Sequence, residues 1–273
     1  MKYIIVIIIL LWTHAHGVEN VPSPFTHFKF NENGPQTVLT DHGVGAVGAT
    51  VTTSTDAFSD YGKVGQSFNF DVDPNHSELS AMTNSIKTDT VGSFTFWAYP
   101  FSNKYLQPFV FGGTPYTEMI SQIQPNGTFL FYITAKAGST NLRPLNISFP
   151  NVILAKLWTH IAIVQDGSEI KVYANGRLLT PNINNYESPG AWLSYMSVDG
   201  PGVTGNIDNG VIGGYYNVGS FLLNSGGGKI DDFRYYRFPL NASEVSALYN
   251  CGFGTEATNP ELNRKCDSDS GHN

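Results

Sequence analysis

From residue 28 to about residue 236, apolar residues come in short runs, often alternating with polar ones, and turn residues break the runs every few positions. Residues 28–30, 66–71, 93–99, 109–111, 128–134, 158–165, 169–174 and 229–237 read as strands. In 158–165, Trp158, His160, Ala162 and Val164 share one face, while Thr159, Ile161 and Ile163 share the other. Both faces are largely apolar, which predicts a central strand covered on each side. Asp166-Gly167 and Asn175-Gly176 follow, dipeptides that supply the positive φ angles of tight turns. Three strands joined in this way predict an antiparallel meander. No amphipathic helix separates any strand pair, so parallel βαβ architecture is excluded. The expected class is all-β, an antiparallel sandwich of two sheets.

One short helix is predicted, and it comes last. Asn241 caps it, Glu244 three residues later completes a capping box, and Leu240 staples against Val245. Gly252 is the expected stop. Val245, Leu248 and Tyr249 form an apolar stripe for docking on the sandwich.

The N-terminus changes the picture from fold to compartment. Met1-Lys2 is a basic start, Tyr3 to Trp12 an apolar run, and Ala15 and Gly17 are small residues at a signal-peptidase spacing. The apolar run is about half of the roughly twenty residues a membrane span needs. We therefore expect a signal peptide at 1–17, a single domain at 18–254, a polar tail at 255–273, and a secreted, extracellular protein. Cys251 and Cys266 are the only cysteines. An oxidising compartment favours their pairing, which would tether the tail; free thiols or an intermolecular bridge are the alternatives. Asn75, Asn126, Asn146 and Asn241 head Asn-x-Ser/Thr sequons and are candidate glycan sites.

Charged residues make up 14% of the chain, against about 25% in an average protein. The net charge is −7, which argues against a nucleic-acid partner because a phosphate backbone demands a basic surface.

Three stretches in order then carry a resemblance: 92–98 (GSFTFWA), 157–167 running on to 170–178 (LWTHIAIVQDG, IKVYANGRL), and 228–240 (GKIDDFRYYRFPL) with the helix after it. Together they resemble laminin-G-like jelly-roll domains of the concanavalin-A-like lectin/glucanase superfamily. The match covers about residues 25–250, with Trp97 two positions earlier than the family pattern has its tryptophan. The resemblance implies a concanavalin-A-like jelly roll with the short C-terminal helix. Its members include carbohydrate-binding modules, adhesion and matrix domains, and some glycosidases, so fold does not choose among them.

Glycosidases on this scaffold set two carboxylates on alternate residues of one strand. No glutamate after residue 17 has an acidic partner two residues away. No nucleophile elbow is present either. His160 falls at a structural position of the family pattern, which implies a hydrogen-bonded core histidine. No catalytic residues are expected.

Asp231 shares alternation with Phe233 and Tyr235, and so is expected on the apolar side of its strand. A buried carboxylate needs a cation or several N–H donors. The resemblance implies a structural calcium there, held by Asp231 with Asn31 and Glu32 after the first strand; backbone amides or Arg234 and Arg237 are the alternative. Residues 182–220 hold Tyr186, Trp192, Tyr195, Tyr215 and Tyr216 among Asn, Gly, Pro and Ser. That mixture suits a sugar, with aromatic faces for its C–H side and amides or hydroxyls for the rest. The expected function is a secreted, non-catalytic glycoprotein that binds a glycan or an extracellular protein, without a transmembrane anchor. A structural matrix protein, cuticular or mineral-associated, is the alternative, and a glycoside hydrolase the second.

Overall fold

The computed structural model describes residues 21–32, 38–52, 58–59, 62–70, 76–101, 104–113, 117–137, 140–185, 187–197, 207–213, 215–217, 220–222 and 227–254. Two antiparallel sheets carry the fold. Across the first, the order is Arg177–Leu178, Ile170–Ala174, Thr159–Gln165, Gly92–Pro100, Gly228–Tyr236, Ser67–Asn69 and Phe58–Ser59. An eighth strand, Thr26–Phe28, also pairs with Gly228–Tyr236. Gly92–Pro100 occupies one flank of that last strand along its whole length. Ser67–Asn69 and Thr26–Phe28 therefore divide the other flank, at Lys229–Ile230 and at Phe233–Tyr235 respectively.

The second sheet has nine strands. Its order is Asn182–Asn185, Thr140–Phe149, Phe129–Ala137, Thr117–Ile123, Phe109–Gly113, Asn209–Ile212, His76–Glu78, Ala49–Thr52 and Val38–Leu39. A separate hairpin pairs Tyr215–Asn217 with Ser220–Leu222. This is the two-sheet antiparallel jelly roll expected from the sequence.

Inward-pointing residues of both sheets make the core. Phe94, Phe96, Phe233 and Tyr235 of the first sheet meet Phe109, Phe111, Phe129 and Phe131 of the second. Ring centroids lie 4.5 Å apart for Phe94–Phe109 and 4.6 Å for Phe94–Tyr235, within the range where aromatic pairs add to their area burial. Behind the first sheet, Ala162, Val164, Tyr173 and Tyr236 pack against Leu240, Val245 and Leu248. Thr159–Gln165 is thus covered on both faces, as its apolar pattern requires.

The C-terminal helix spans Ala242–Gly254, two residues past the expected stop. Its capping box is formed: Glu244 N–H donates to Asn241 Oδ1 at 2.9 Å, and Asn241 N–H to Glu244 Oε2 at 2.7 Å. A second helix, Ser80–Ile86, has no side-chain cap; Leu79 precedes it, so the chain carries no start signal there. Burial of Met82 and Ile86 holds it instead.

The two turns differ. Asn175 and Gly176 both take positive φ, 50° and 75°, as a tight hairpin demands. Gln165 pairs with Ile170, so the earlier turn is longer, and Gly167 alone takes positive φ there. Asp166 Oδ1 holds it by accepting the N–H groups of Ser168 and Glu169. Among the described residues no helix is long and apolar enough to cross a membrane.

Candidate functional site

The outer face of the second sheet is built by pleat and register. Paired residues of antiparallel strands point to the same side, so Val211, Val110, Ile120, Tyr132 and Asn146 form one row across five strands. The neighbours on either side are Glu118 paired with Thr134, and Gln122 paired with Leu130 and Ser148. Burial alternates with the pleat. Met119, Ser121 and Ile123 are buried inward, while Glu118 and Gln122 are half-exposed; Phe131 and Ile133 are buried, while Leu130, Tyr132 and Thr134 are half-exposed.

Val110, Ile120 and Val211 form a separate buried cluster on this face, with Tyr132 packed at its border. The hairpin of Tyr215–Asn217 and Ser220–Leu222 contacts the strand that carries Val110. Beyond Val211 the row continues through Glu78, Thr50 and Val38 into a shallow cleft of about 140 Å³. The result is a covered apolar cluster, with a tyrosine, amides, a hydroxyl and carboxylates on the half-exposed part of the face beside it.

A different kind of site lies behind the first sheet. Asp231 stands opposite Trp97 and Arg234 opposite Thr95, so two residues of the last strand face one of its partner. This bulge, with Asp232 at φ 52°, corrects the expectation for Asp231. The extra residue shifts Asp231 out of step with Phe233 and Tyr235 and onto the outer side, in a row with Trp97 and His160. It is buried nonetheless, beneath the turn at 62–66. Asp231 Oδ2 accepts the N–H groups of Lys63 at 2.7 Å and Val64 at 2.6 Å, and the Lys63 ammonium lies 5.3 Å from the Trp97 ring centroid. Burial, with the charge of Asp232, pushes the Asp231 carboxyl well above the usual carboxylate range.

Asp232 is held the other way. Burial alone would raise its carboxyl, but the Arg234 guanidinium and the His27 hydrogen bond overcome that and keep it below the usual range. His27 Nε2–H donates to Asp232 Oδ1 at 2.6 Å, and Arg234 reaches the same oxygen through Nε at 3.0 Å and Nη2 at 2.9 Å. Desolvation lowers both His27 and His160 to about 4, so both are neutral at physiological pH. These groups are sealed from solvent, which makes them structural members of the sheet and its helix.

A family model described as the concanavalin A-like lectin/glucanases superfamily, of laminin-G type, matches residues 73–246. The chain belongs to that superfamily. No curated protein matches it by sequence. Among solved structures, the CBM40 domain of the Ruminococcus gnavus IT-sialidase, bound to α2,3 sialyllactose, is 18% identical with a TM-score of 0.52; the match covers 64% of this chain and 92% of that one. The botulinum neurotoxin serotype D binding domain is 13% identical with a TM-score of 0.56, over 84% of this chain and 51% of that one. At these identities the likeness is one of fold.

Within this superfamily fold the expected ligand residues disperse. Tyr186 lies outside the described residues. Trp192 is fully buried, 5.4 Å from the Phe94 ring, and so has no surface to offer a ligand; this corrects its expected place. Tyr195 is half-buried against the core. Tyr215 and Tyr216 belong to the hairpin that contacts the strand Phe109–Gly113. Sequence reasoning did not single out Tyr132, Gln122 or Glu118: neither 117–123 nor 129–135 alternates in polarity, so only the strand pairing shows that they share a face.

Of the calcium set, Asn31 Oδ1 accepts the Gln66 N–H at 2.7 Å, in the same turn that Asp231 holds. Glu32 Oε1 accepts the Thr40 N–H at 3.0 Å. Asp231 Oδ1 and Glu32 Oε2 are buried without a hydrogen-bond partner. No three His, Cys, Asp or Glu side chains converge among the described residues. His160 is the core residue expected but not hydrogen-bonded through its ring: Nδ1 is buried without a partner, the ring lies against Trp97, and only the backbone N–H bonds, to Asn175 Oδ1. Of the sequons, Asn126 and Asn241 are exposed and Asn146 half-exposed, while Asn75 lies outside the described residues, as do 1–17 and Cys266.

Proposed function

We propose that the protein is a secreted, non-catalytic lectin that binds a glycan on the outer face of its second sheet. One observation carries the reading: the half-exposed patch around Tyr132, where an aromatic ring stands among Gln122, Glu118, Thr134 and Asn146 beside the buried Val110–Ile120–Val211 cluster. A pyranose presents the matching surfaces, C–H groups for the ring and hydroxyls for the amides and carboxylates. The CBM40 domain, which shares the fold, was solved with sialyllactose.

Carboxylate spacing supports the absence of chemistry. Among the described residues, Glu118 and Glu78 are the carboxylates placed on this face, and the three strand-to-strand steps between them set them at least about 14 Å apart at about 4.8 Å a step. Glycoside hydrolysis needs about 5 to 9.5 Å.

The orphaned oxygens of Asp231 and Glu32 suit a hard cation, and calcium held by Asp231, Glu32 and Asn31 is part of the proposal. Such an ion would supply charge compensation for buried carboxylates.

A glycan array with the secreted protein tests the lectin reading. Defined sugars should give signal, and Tyr132→Ala should remove it while the variant still folds by circular dichroism. An array without signal, or signal unchanged in Tyr132→Ala, refutes the reading or its site.

A further inference from the structure

The fold uses the asparagines of its sequons in different ways. In the turn between Thr117–Ile123 and Phe129–Ala137, Asn126 Oδ1 accepts the Thr128 N–H at 3.0 Å. The turn closes around that bond: Gly127 N–H donates to the Gln124 carbonyl, and Gln124 N–H to the Thr128 carbonyl, both at 2.9 Å. Gly127 sits at φ 80°, and a Cβ there would lie 2.3 Å from the Ile153 carbonyl oxygen, so this sequon admits only glycine as its middle residue. At the head of the last helix the arrangement recurs. Asn241 Oδ1 accepts the Glu244 N–H at 2.9 Å, while the Glu244 carboxylate holds the Asn241 backbone N–H.

A carboxamide has its oxygen and nitrogen on opposite sides of one carbon, so an oxygen bonded to the backbone turns the nitrogen away from it. Both asparagines are exposed, and Nδ2 of neither donates a hydrogen bond among the described residues. Each side chain is thus divided: the oxygen belongs to the fold and the nitrogen to solvent. Asn146 differs. It is half-exposed, its side chain is held by no hydrogen bond among the described residues, and it stands between Tyr132 and Asn185 across the sheet. The hydroxyl of its sequon, Ser148 Oγ, donates to the Asn182 carbonyl at 3.2 Å.

We propose that Asn126 and Asn241 carry N-linked glycans and that Asn146 is bare. The donor is a lipid-pyrophosphate-linked oligosaccharide. Nδ2 bonds to the anomeric carbon, the bond from that carbon to the pyrophosphate oxygen breaks, the lipid pyrophosphate leaves with the electron pair, and one Nδ2 proton passes to solvent. The product keeps the carbonyl oxygen as an acceptor, so the turn at 124–128 and the helix cap survive modification. One glycan then projects from the end of the second sheet and the other from the helix behind the first. The statement on Asn146 rests on the lectin reading, because an oligosaccharide directly opposite Tyr132 would lie over the patch. The other two sites rest only on secretion.

The test is a site map of the protein secreted from a eukaryotic cell line. Peptide N-glycosidase in heavy-oxygen water converts each glycosylated asparagine to a labelled aspartate, so peptide masses report the sites separately. Label at 126 and 241, with none at 146, is expected. Unlabelled 126 or 241 in secreted protein overturns the proposal, and label at 146 overturns the third assignment. Retention inside the cell without glycan overturns secretion and the proposal together, whereas a silent glycan array with this map intact fails the lectin reading alone. Asn126→Asp and Asn241→Asp each remove one glycan and keep the accepting oxygen, so each should migrate faster on a denaturing gel and melt with enzymatically deglycosylated wild type. Asn126→Gln and Asn241→Gln remove the same glycan but displace the oxygen by a methylene, and should melt below their aspartate counterparts. Equal melting of the two sets overturns the division of each side chain between fold and glycan.

Discussion

Replacing His160 by glutamine changes how the fold responds to acid. The ring is fully buried, 5.2 Å from Trp97 and 6.2 Å from Tyr249 of the C-terminal helix. Desolvation is the main cause of its lowered pKa, with Arg234 adding to the effect and Asp232 opposing it. In the unfolded chain it titrates near 6.5, in the folded protein near 4. A depressed folded value means stability that is fully present above pH 6.5 and is lost as pH falls toward 4. That gap corresponds to about 3 kcal/mol, with a limiting slope of about 1.4 kcal/mol per pH unit. The loss is large beside a typical total of about 5–15 kcal/mol. His27 contributes with the same sign, whereas Asp231, raised when folded, takes up a proton and opposes it. The difference between wild type and His160→Gln isolates the one ring. Urea unfolding followed by tryptophan fluorescence, between pH 7 and 4.5, should show wild type losing stability more steeply than the variant by that slope. Parallel curves, or an NMR titration of the His160 ring near 6.5, would refute the desolvation argument.

Other outcomes follow from the same contacts. Arg234→Ala should cost about 3–5 kcal/mol in urea unfolding, because it strands the Asp232 carboxylate in the interior; a cost below 1 kcal/mol would contradict the burial. Asn241→Ala should cost about 1 kcal/mol through loss of the helix cap, read by the same assay. If calcium occupies the proposed site, chelator lowers the melting temperature of wild type and has no effect on Asp231→Asn; identical melting with and without chelator removes the ion from the proposal. The Cys251–Cys266 bridge we expect should appear as a gain of about two hydrogens in intact mass on reduction, with little loss of stability because the tether lies beyond the last strand.

Much of the fold was legible because local rules and long-range packing agree. The two-faced apolar pattern of 158–165, the Asn175-Gly176 turn and the Asn241–Glu244 box each specify geometry within a few residues. Thr117–Ile123 was missed because its polar and apolar residues do not alternate, Ile120 lying on the outer face and Ser121 on the inner one, so its strand character rests on pairing with Phe129–Ala137. The bulge at Asp231–Asp232 was invisible because alternation carries no mark where a residue is inserted; only the partner strand's register reveals it. Trp192 reads as a surface aromatic among Gly, Pro and Ser, but its burial depends on Phe94 and Phe131, roughly sixty to a hundred residues earlier in the chain. The row around Tyr132 was half legible: parity tells which residues share a face, not which face the rest of the molecule leaves open.

The divided flank of the last strand has a consequence for how the chain is made. Thr26–Phe28 finds its partner only when residues 233–235 exist, and the His27–Asp232 bond closes a sequence separation of 205 residues. At about 5–20 residues per second, the first strand waits about 10–40 s for its neighbour to be synthesised. Meanwhile Gly92–Pro100 can pair with Thr159–Gln165 but keeps its other edge unsatisfied. Contacts of such high contact order fold slowly. A nascent chain of this protein thus exposes an apolar strand edge until nearly its whole length has emerged, and a truncation before residue 228 should aggregate where the full chain does not.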